Sequence, residues 1–114
     1  MKNKEATVKP IIDEIARKLR DALKDAIADF EGLYVFGSQV RDDATEDSDV
    51  DIVVLFGEER FWQPDVFYEI LSKMEYDYYD IIDLDIHPQT QKQLESNPIF
   101  YREVVNKGVF YNAI

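Results

Sequence analysis

The chain contains no cysteine, which removes disulfides, thiolate zinc sites and a cysteine nucleophile from consideration. No apolar run approaches the roughly 18 residues that a bilayer-crossing helix needs. Met1 to Pro10 is polar where a signal peptide would carry its apolar segment, so a cytoplasmic protein with no membrane role is expected. Basic residues are scarce: 13 Lys and Arg stand against 24 Asp and Glu, a net charge of −11. A surface that acidic repels phosphate backbones, which argues against stand-alone nucleic-acid binding. It leaves solubility, attraction of divalent cations, or attraction of a basic protein as uses for the charge. Internal repeats, low-complexity stretches and interdomain linkers are also missing. With 114 residues, a single domain over 1–114 is expected.

What is present is ample material for a core, with 46% apolar and 13% aromatic residues. Ala6 to Phe30 reads as one long amphipathic helix, because Val8, Ile11, Ile12, Ile15, Leu19, Leu23, Ile27 and Phe30 recur at spacings of three and four. Gly32 is expected to cap its C-terminal end. Leu33 to Phe36 then reads as a short buried strand. Asp49 to Phe56, rich in β-branched residues and closed by Gly57, reads as a central one. Pro64 opens a second helix to about Tyr79. Asp80 to His87 is read as a third strand stopped by Pro88, followed by a polar connector, Gln89 to Asn97. A last helix is read from Pro98 to Lys107, capped by Gly108, and a last strand from Val109 to Tyr111. The order α-β-(turn)-β-α-β-α-β implies an α+β, layered architecture, a small mixed sheet flanked by helices. Phe61, Trp62, Phe67, Tyr68, Tyr76, Tyr78 and Tyr79 are read mostly as core and helix packing, with Trp62 kept open for base stacking or a partner contact.

Two features sit at strand ends. At Phe36-Gly37-Ser38 a strand turns into a short helix, and glycine lets the backbone approach a ligand closely. The free N–H groups of a helix start, with the Ser38 hydroxyl, suit a phosphate. Gly-Ser is by itself an ordinary turn pair. After ten intervening residues comes Asp49-Val50-Asp51 at the mouth of the central strand. Strand alternation puts both carboxylates on one face, where they repel unless a cation bridges them. An oxygen-only donor set suits Mg²⁺, which binds through one or two carboxylates and substrate phosphates. An Asp-x-Asp pair alone is more often a solvated strand fringe, but the two features at this spacing and in this element order are a far more specific signal. A calcium loop over Asp47, Asp49 and Asp51 fails, since Ile52 to Phe56 is strand where such a loop needs glycine and polar ligands.

The run Val35-Phe36-Gly37-Ser38-Gln39-Val40-Arg41 through Asp49-Val50-Asp51-Ile52-Val53-Val54 resembles the signature of the DNA polymerase β-type nucleotidyltransferases. In length the chain is similar to their minimal, MntA-like members. Two positions depart from that pattern: Gln39 stands where the family usually has arginine, and Asp42 where it has glycine after Arg41. The resemblance implies a nucleotidyltransferase fold and transfer of a nucleoside monophosphate, AMP from ATP, to a hydroxyl, with one or two Mg²⁺ ions. It assigns Gly37, Ser38 and Arg41 to the nucleotide and Asp49 and Asp51 to metal and catalysis. It also implies a third carboxylate on a neighbouring strand, for which Asp83 is the first choice and Asp85 the reserve. Such an acid can act as general base or hold a second metal. His87, the only histidine, shares their face but is read as a surface or capping residue. The resemblance further implies an antitoxin whose partner is a HEPN-type ribonuclease toxin, with AMP placed on a toxin tyrosine. An acidic chain facing a basic partner fits that pairing. The alternative is a non-catalytic nucleotide-binding module that neutralises its protein partner by direct contact. A small-molecule acceptor fits less well, because enzymes acting on aminoglycosides resemble longer, two-domain chains. A homo-oligomer through the first helix stays open.

Overall fold

A computed structural model describes residues 8–40, 49–57 and 63–114. Arg41 and Asp42 of the loop, with Phe61 and Trp62, lie outside the described residues. Helix α1 spans Pro10–Ala26, followed by strand β1 (Phe30–Phe36) and a 3-10 turn over Gly37–Val40. Strand β2 is Val50–Phe56, helix α2 Pro64–Tyr78 and strand β3 Leu84–Thr90. Helix α3 (Gln91–Glu95) and helix α4 (Pro98–Tyr101) follow, the latter widening into a π-type turn over Arg102–Asn106 before strand β4 (Val109–Asn112).

The strands form one mixed sheet in the order β3-β2-β1-β4, with β1 antiparallel to both β2 and β4 and β2 parallel to β3. This is the small mixed sheet flanked by helices that the element order implied. Internal β2 is buried on both faces, which explains its nearly unbroken apolar run. Val50, Ile52, Val54 and Phe56 face the main core with α1 residues Ile12, Ile15, Leu19 and Leu23 and α2 residues Phe67 and Leu71. Val53 and Leu55 point the other way, into a second core with Phe36, Leu94 and Val104. Two side-chain bonds fasten α1 to its neighbours: the Tyr111 hydroxyl donates to Asp13 at 2.8 Å, and that of Tyr78 to Glu14 at 2.6 Å.

Several boundaries differ from the sequence reading. Helix α1 starts only at Pro10, which occupies its first turn, where the missing N–H costs nothing. It ends at Ala26, and Ile27 and Phe30 reach the core from the turn and from β1 instead. Gly32 caps no helix; it lies inside β1 at φ 147°, where the register with β2 shifts between Phe30 and Gly32. A Cβ at Gly32 would run into the Phe110 ring and the Tyr111 carbonyl of β4, so the glycine marks an irregularity and a close strand approach. Strand β3 lies later than read, because residues 80–83 form the turn leaving α2, with the Ile82 N–H donating to the Tyr78 carbonyl at 3.0 Å. Pro88 does not stop β3 but lies within it, tolerated because among the described residues β3 pairs only with β2 and a proline can face the open edge. The connector read from Gln89 holds the end of β3 and helix α3, opened by a capping box between Thr90 and Gln93. Tyr68, Tyr76 and Tyr79 are exposed rather than packed in the core, unlike Phe67 and Tyr78.

Candidate functional site

The candidate residues gather on the second face of the sheet, at the end where β1 leaves it and the parallel strands β2 and β3 enter. Alternation along β2 sends Asp51 to the face of Val53 and Leu55, away from the main core. On β3, Leu84 and Ile86 pack toward the main core, so Asp85 and His87 point the opposite way. The parallel register sets Asp51 opposite Asp85 and Val53 opposite His87. Asp85 rather than Asp83 therefore stands across from Asp51. Asp83 precedes β3 and is exposed, and its main-chain carbonyl accepts from the Val50 N–H at 2.9 Å, which fixes the entry of both strands. Asp49 lies just outside β2 and is exposed.

Gly37 forms the wall behind Asp51. Its φ of 82° is left-handed, and a Cβ built there would collide with the Asp51 carboxylate. The backbone conformation calls for glycine, and a side chain there would also have to displace the Asp51 carboxylate. Ser38 follows in the 3-10 turn at intermediate exposure, and Gln39 beside it is buried. The residue that departs from the resembled arginine is therefore largely covered.

The electrostatics centre on Asp51. Burial, and then the negative charge of Asp85 across the strand pair, push its carboxyl above the ordinary aspartate value; Asp49 adds to this and His87 opposes it. A carboxylate raised by a neighbouring acid in this way takes up a proton or a shared cation more readily than an isolated acid does. His87, read from the sequence as a surface or capping residue, belongs to the cluster: its Nε2 lies 3.3 Å from Asp85 Oδ1, both side chains being about half exposed. The alternation that put His87 on the face of Asp85 was the available signal. Among the described residues no three His, Cys, Asp or Glu side chains form a ready-made metal cluster. The convergent unit is the Asp51–Asp85 pair, a hard oxygen donor set that suits Mg²⁺ when phosphate oxygens and water complete the shell.

The chain belongs to the nucleotidyltransferase domain family, whose model matches residues 16–111. It is homologous to a candidate protein adenylyltransferase of Methanocaldococcus jannaschii, 33% identical over 100 residues that cover 88% of this chain and 93% of that one. Two solved structures share its fold. One is a toxin–antitoxin complex with AMP-PNP, with a TM-score of 0.58 and 24% identity over 83% of this chain and 70% of that one. The other is a complex of a tri-AMPylated HEPN toxin of Shewanella oneidensis with an MNT antitoxin, with a TM-score of 0.55 and 21% identity over 86% and 69%. The enzyme class implied by the sequence, a nucleotidyltransferase, is that of the family. Among the described residues no helix is long and apolar enough to cross a membrane.

Proposed function

We propose that this chain transfers AMP from Mg²⁺-chelated ATP to a hydroxyl of a protein partner, and that the partner is a HEPN-type toxin which the chain thereby holds in check as its antitoxin. The observation that carries this reading is the register that sets Asp51 opposite Asp85, with Gly37 closed against Asp51. Asp51 and Asp85 would hold the metal, with phosphate oxygens and water completing its shell, and Asp49 at the mouth of β2 would add negative charge beside it. When bound, Mg²⁺ would neutralise the triphosphate and the charge that develops at the reacting phosphorus. Gly37 and Ser38 would bind the β- and γ-phosphates through main-chain N–H groups and the hydroxyl, with Arg41 adding charge. The acceptor oxygen attacks the α-phosphorus and the bridging P–O bond to the β-phosphate breaks. Pyrophosphate leaves with that electron pair, and the hydroxyl proton passes to a carboxylate of the site, the role in which Asp85 replaces our first choice, Asp83. Such chemistry depends on positioning and charge neutralisation more than on a covalent intermediate, so a chain this small suffices. The homologue named as a candidate protein adenylyltransferase supports a protein acceptor. The complex with the tri-AMPylated toxin supports the HEPN-type partner.

The test is to incubate the purified chain with labelled ATP, Mg²⁺ and the HEPN-type protein of its own genome, then locate added mass. Label on a partner side chain, abolished by Asp51→Asn, is the expected result. A tight complex without label, unaffected by Asp51→Asn, would establish neutralisation by contact instead.

A further inference from the structure

The inner face of α2 meets the packing needs of the core through Phe67, Leu71, Met74 and Tyr78, all buried. Its outer face nevertheless carries Tyr68, Tyr76 and Tyr79, at helical spacings of eight and three that set them on one side. Tyr76 and Tyr79 are 76% and 72% exposed, and Ile81, just beyond the helix, is 60% exposed. The two tyrosine rings lie side by side, 6.3 Å between centroids. Clustered exposed apolar side chains of this size mark interaction surfaces, and tyrosine is enriched at such surfaces because it offers a large apolar ring and a hydroxyl together.

The surrounding charge selects the occupant. From Met74 to Gln91 the sequence contains five Asp and Glu and no Lys or Arg. Glu75, Asp77 and Asp80 are exposed around the tyrosines, and Lys73, one turn before Tyr76 and Asp77, is the exposed base that borders them. A second copy of the chain would meet this face with the same face, acid against acid, since a two-fold interface pairs identical patches. A nucleic acid would meet it with phosphates. A protein surface with arginines around an apolar centre fits: guanidinium groups stack on tyrosine faces and pair with the acids. The patch lies on the α2 side of the sheet, opposite the face of Asp51 and Asp85, but at the same end of the strands, so a partner seated on it would reach the site around the β3 edge. The turn after α2 leads into β3, and Asp85 follows Ile81 by four chain steps, a span of at most about 14 Å.

We propose that the end of α2, with Tyr76, Tyr79 and Ile81 bordered by Glu75, Asp77 and Asp80, is the surface on which a basic protein partner docks to present its acceptor hydroxyl to the site. This inference rests on the partner reading above and adds where that partner binds and what chemistry it brings. The test measures the affinity of the full chain for the HEPN-type protein of its genome by calorimetry, alongside its affinity for Mg²⁺ and an ATP analogue. The variant Tyr76→Ala/Tyr79→Ala/Ile81→Ser should weaken partner binding roughly thirtyfold or more, as expected for the centre of an interface, and leave nucleotide binding unchanged. Asp77→Lys/Asp80→Lys should weaken it about tenfold through repulsion of the basic rim. If the wild-type chain binds the partner and the triple variant binds equally well, the docking surface is wrong while the partner reading stands. If the wild-type chain does not bind the partner at all, both fall. Self-association of the isolated chain that the triple variant abolishes would make a second copy the occupant and overturn the proposal.

Discussion

Asp51 is poorly placed for stability, half-buried and facing another carboxylate. Because burial and Asp85 raise its carboxyl in the folded chain, the folded state holds that proton more tightly than the unfolded state does. The associated stability is full below the ordinary aspartate range and is lost as pH rises through the raised value. Asp51→Asn should therefore raise the thermal midpoint by a few degrees at pH 7. The gain should vanish near pH 3, where the wild-type residue is also neutral; calorimetry at both pH values checks this. Gly37→Ala combines a left-handed φ with a collision against Asp51. It should cost about 1–2 kcal/mol in denaturant unfolding and abolish nucleotide binding even where the fold survives. At this scale the sequence revealed much. The turn at Gly37-Ser38 and the place of Asp51 at the start of the central strand were legible from spacing and strand alternation, while Asp49, read on that strand, lies just outside it. Which of Asp83 and Asp85 stands across from Asp51 was not legible, since it depends on where β3 starts, and two isoleucines in the turn before it, Ile81 and Ile82, imitate a strand.

At the scale of elements, α1 is the fastening. Asp13 receives the Tyr111 hydroxyl from β4 and Glu14 that of Tyr78 from α2. The Asp13 carboxyl is held below its ordinary value first by Arg17 and then by Tyr111, and that of Glu14 first by Tyr78 and then by Lys18. Groups lowered in this way stabilise the fold above their ordinary values and lose that contribution as pH falls through the lowered ones. Tyr111→Phe should lower the thermal midpoint at pH 7, and its deficit should shrink below about pH 3.8, the ordinary aspartate value. A deficit that stays constant with pH would assign the loss to packing alone. The helices and the central strand were legible because periodicity and prolines speak locally. The ends of α1 and β3 were not, because they are decided by partners distant in sequence. Gly32 looks like a helix cap until β4 is seen packed against it, and Pro88 looks like a stop until β3 is known to be an edge.

For the whole molecule, charge is unevenly divided. Residues 1–26 carry seven Lys and Arg against five Asp and Glu, while residues 27–114 carry six against nineteen. The acid excess thus lies entirely beyond α1, in the part that holds both the site and the tyrosine patch. Association with a basic partner should be steered by this field. Raising salt from about 0.05 to 0.5 M should slow association by roughly tenfold or more in stopped-flow measurements while changing dissociation little. The aromatic content promised a core, but only the fold separates tyrosines that fill it from those left outside, because Phe67 and Tyr78 already satisfy the inner face of α2. The central claim is that Asp51 and Asp85, joined by the β2–β3 register, hold the metal-chelated triphosphate. The most direct measurement is calorimetric titration of the wild-type chain and of Asp51→Asn, Asp85→Asn and Asp83→Asn with Mg²⁺ and a non-hydrolysable ATP analogue. We expect Asp51→Asn and Asp85→Asn to lose roughly tenfold or more in affinity, with Asp83→Asn close to wild type. Loss in Asp83→Asn with Asp85→Asn unaffected would contradict the claim.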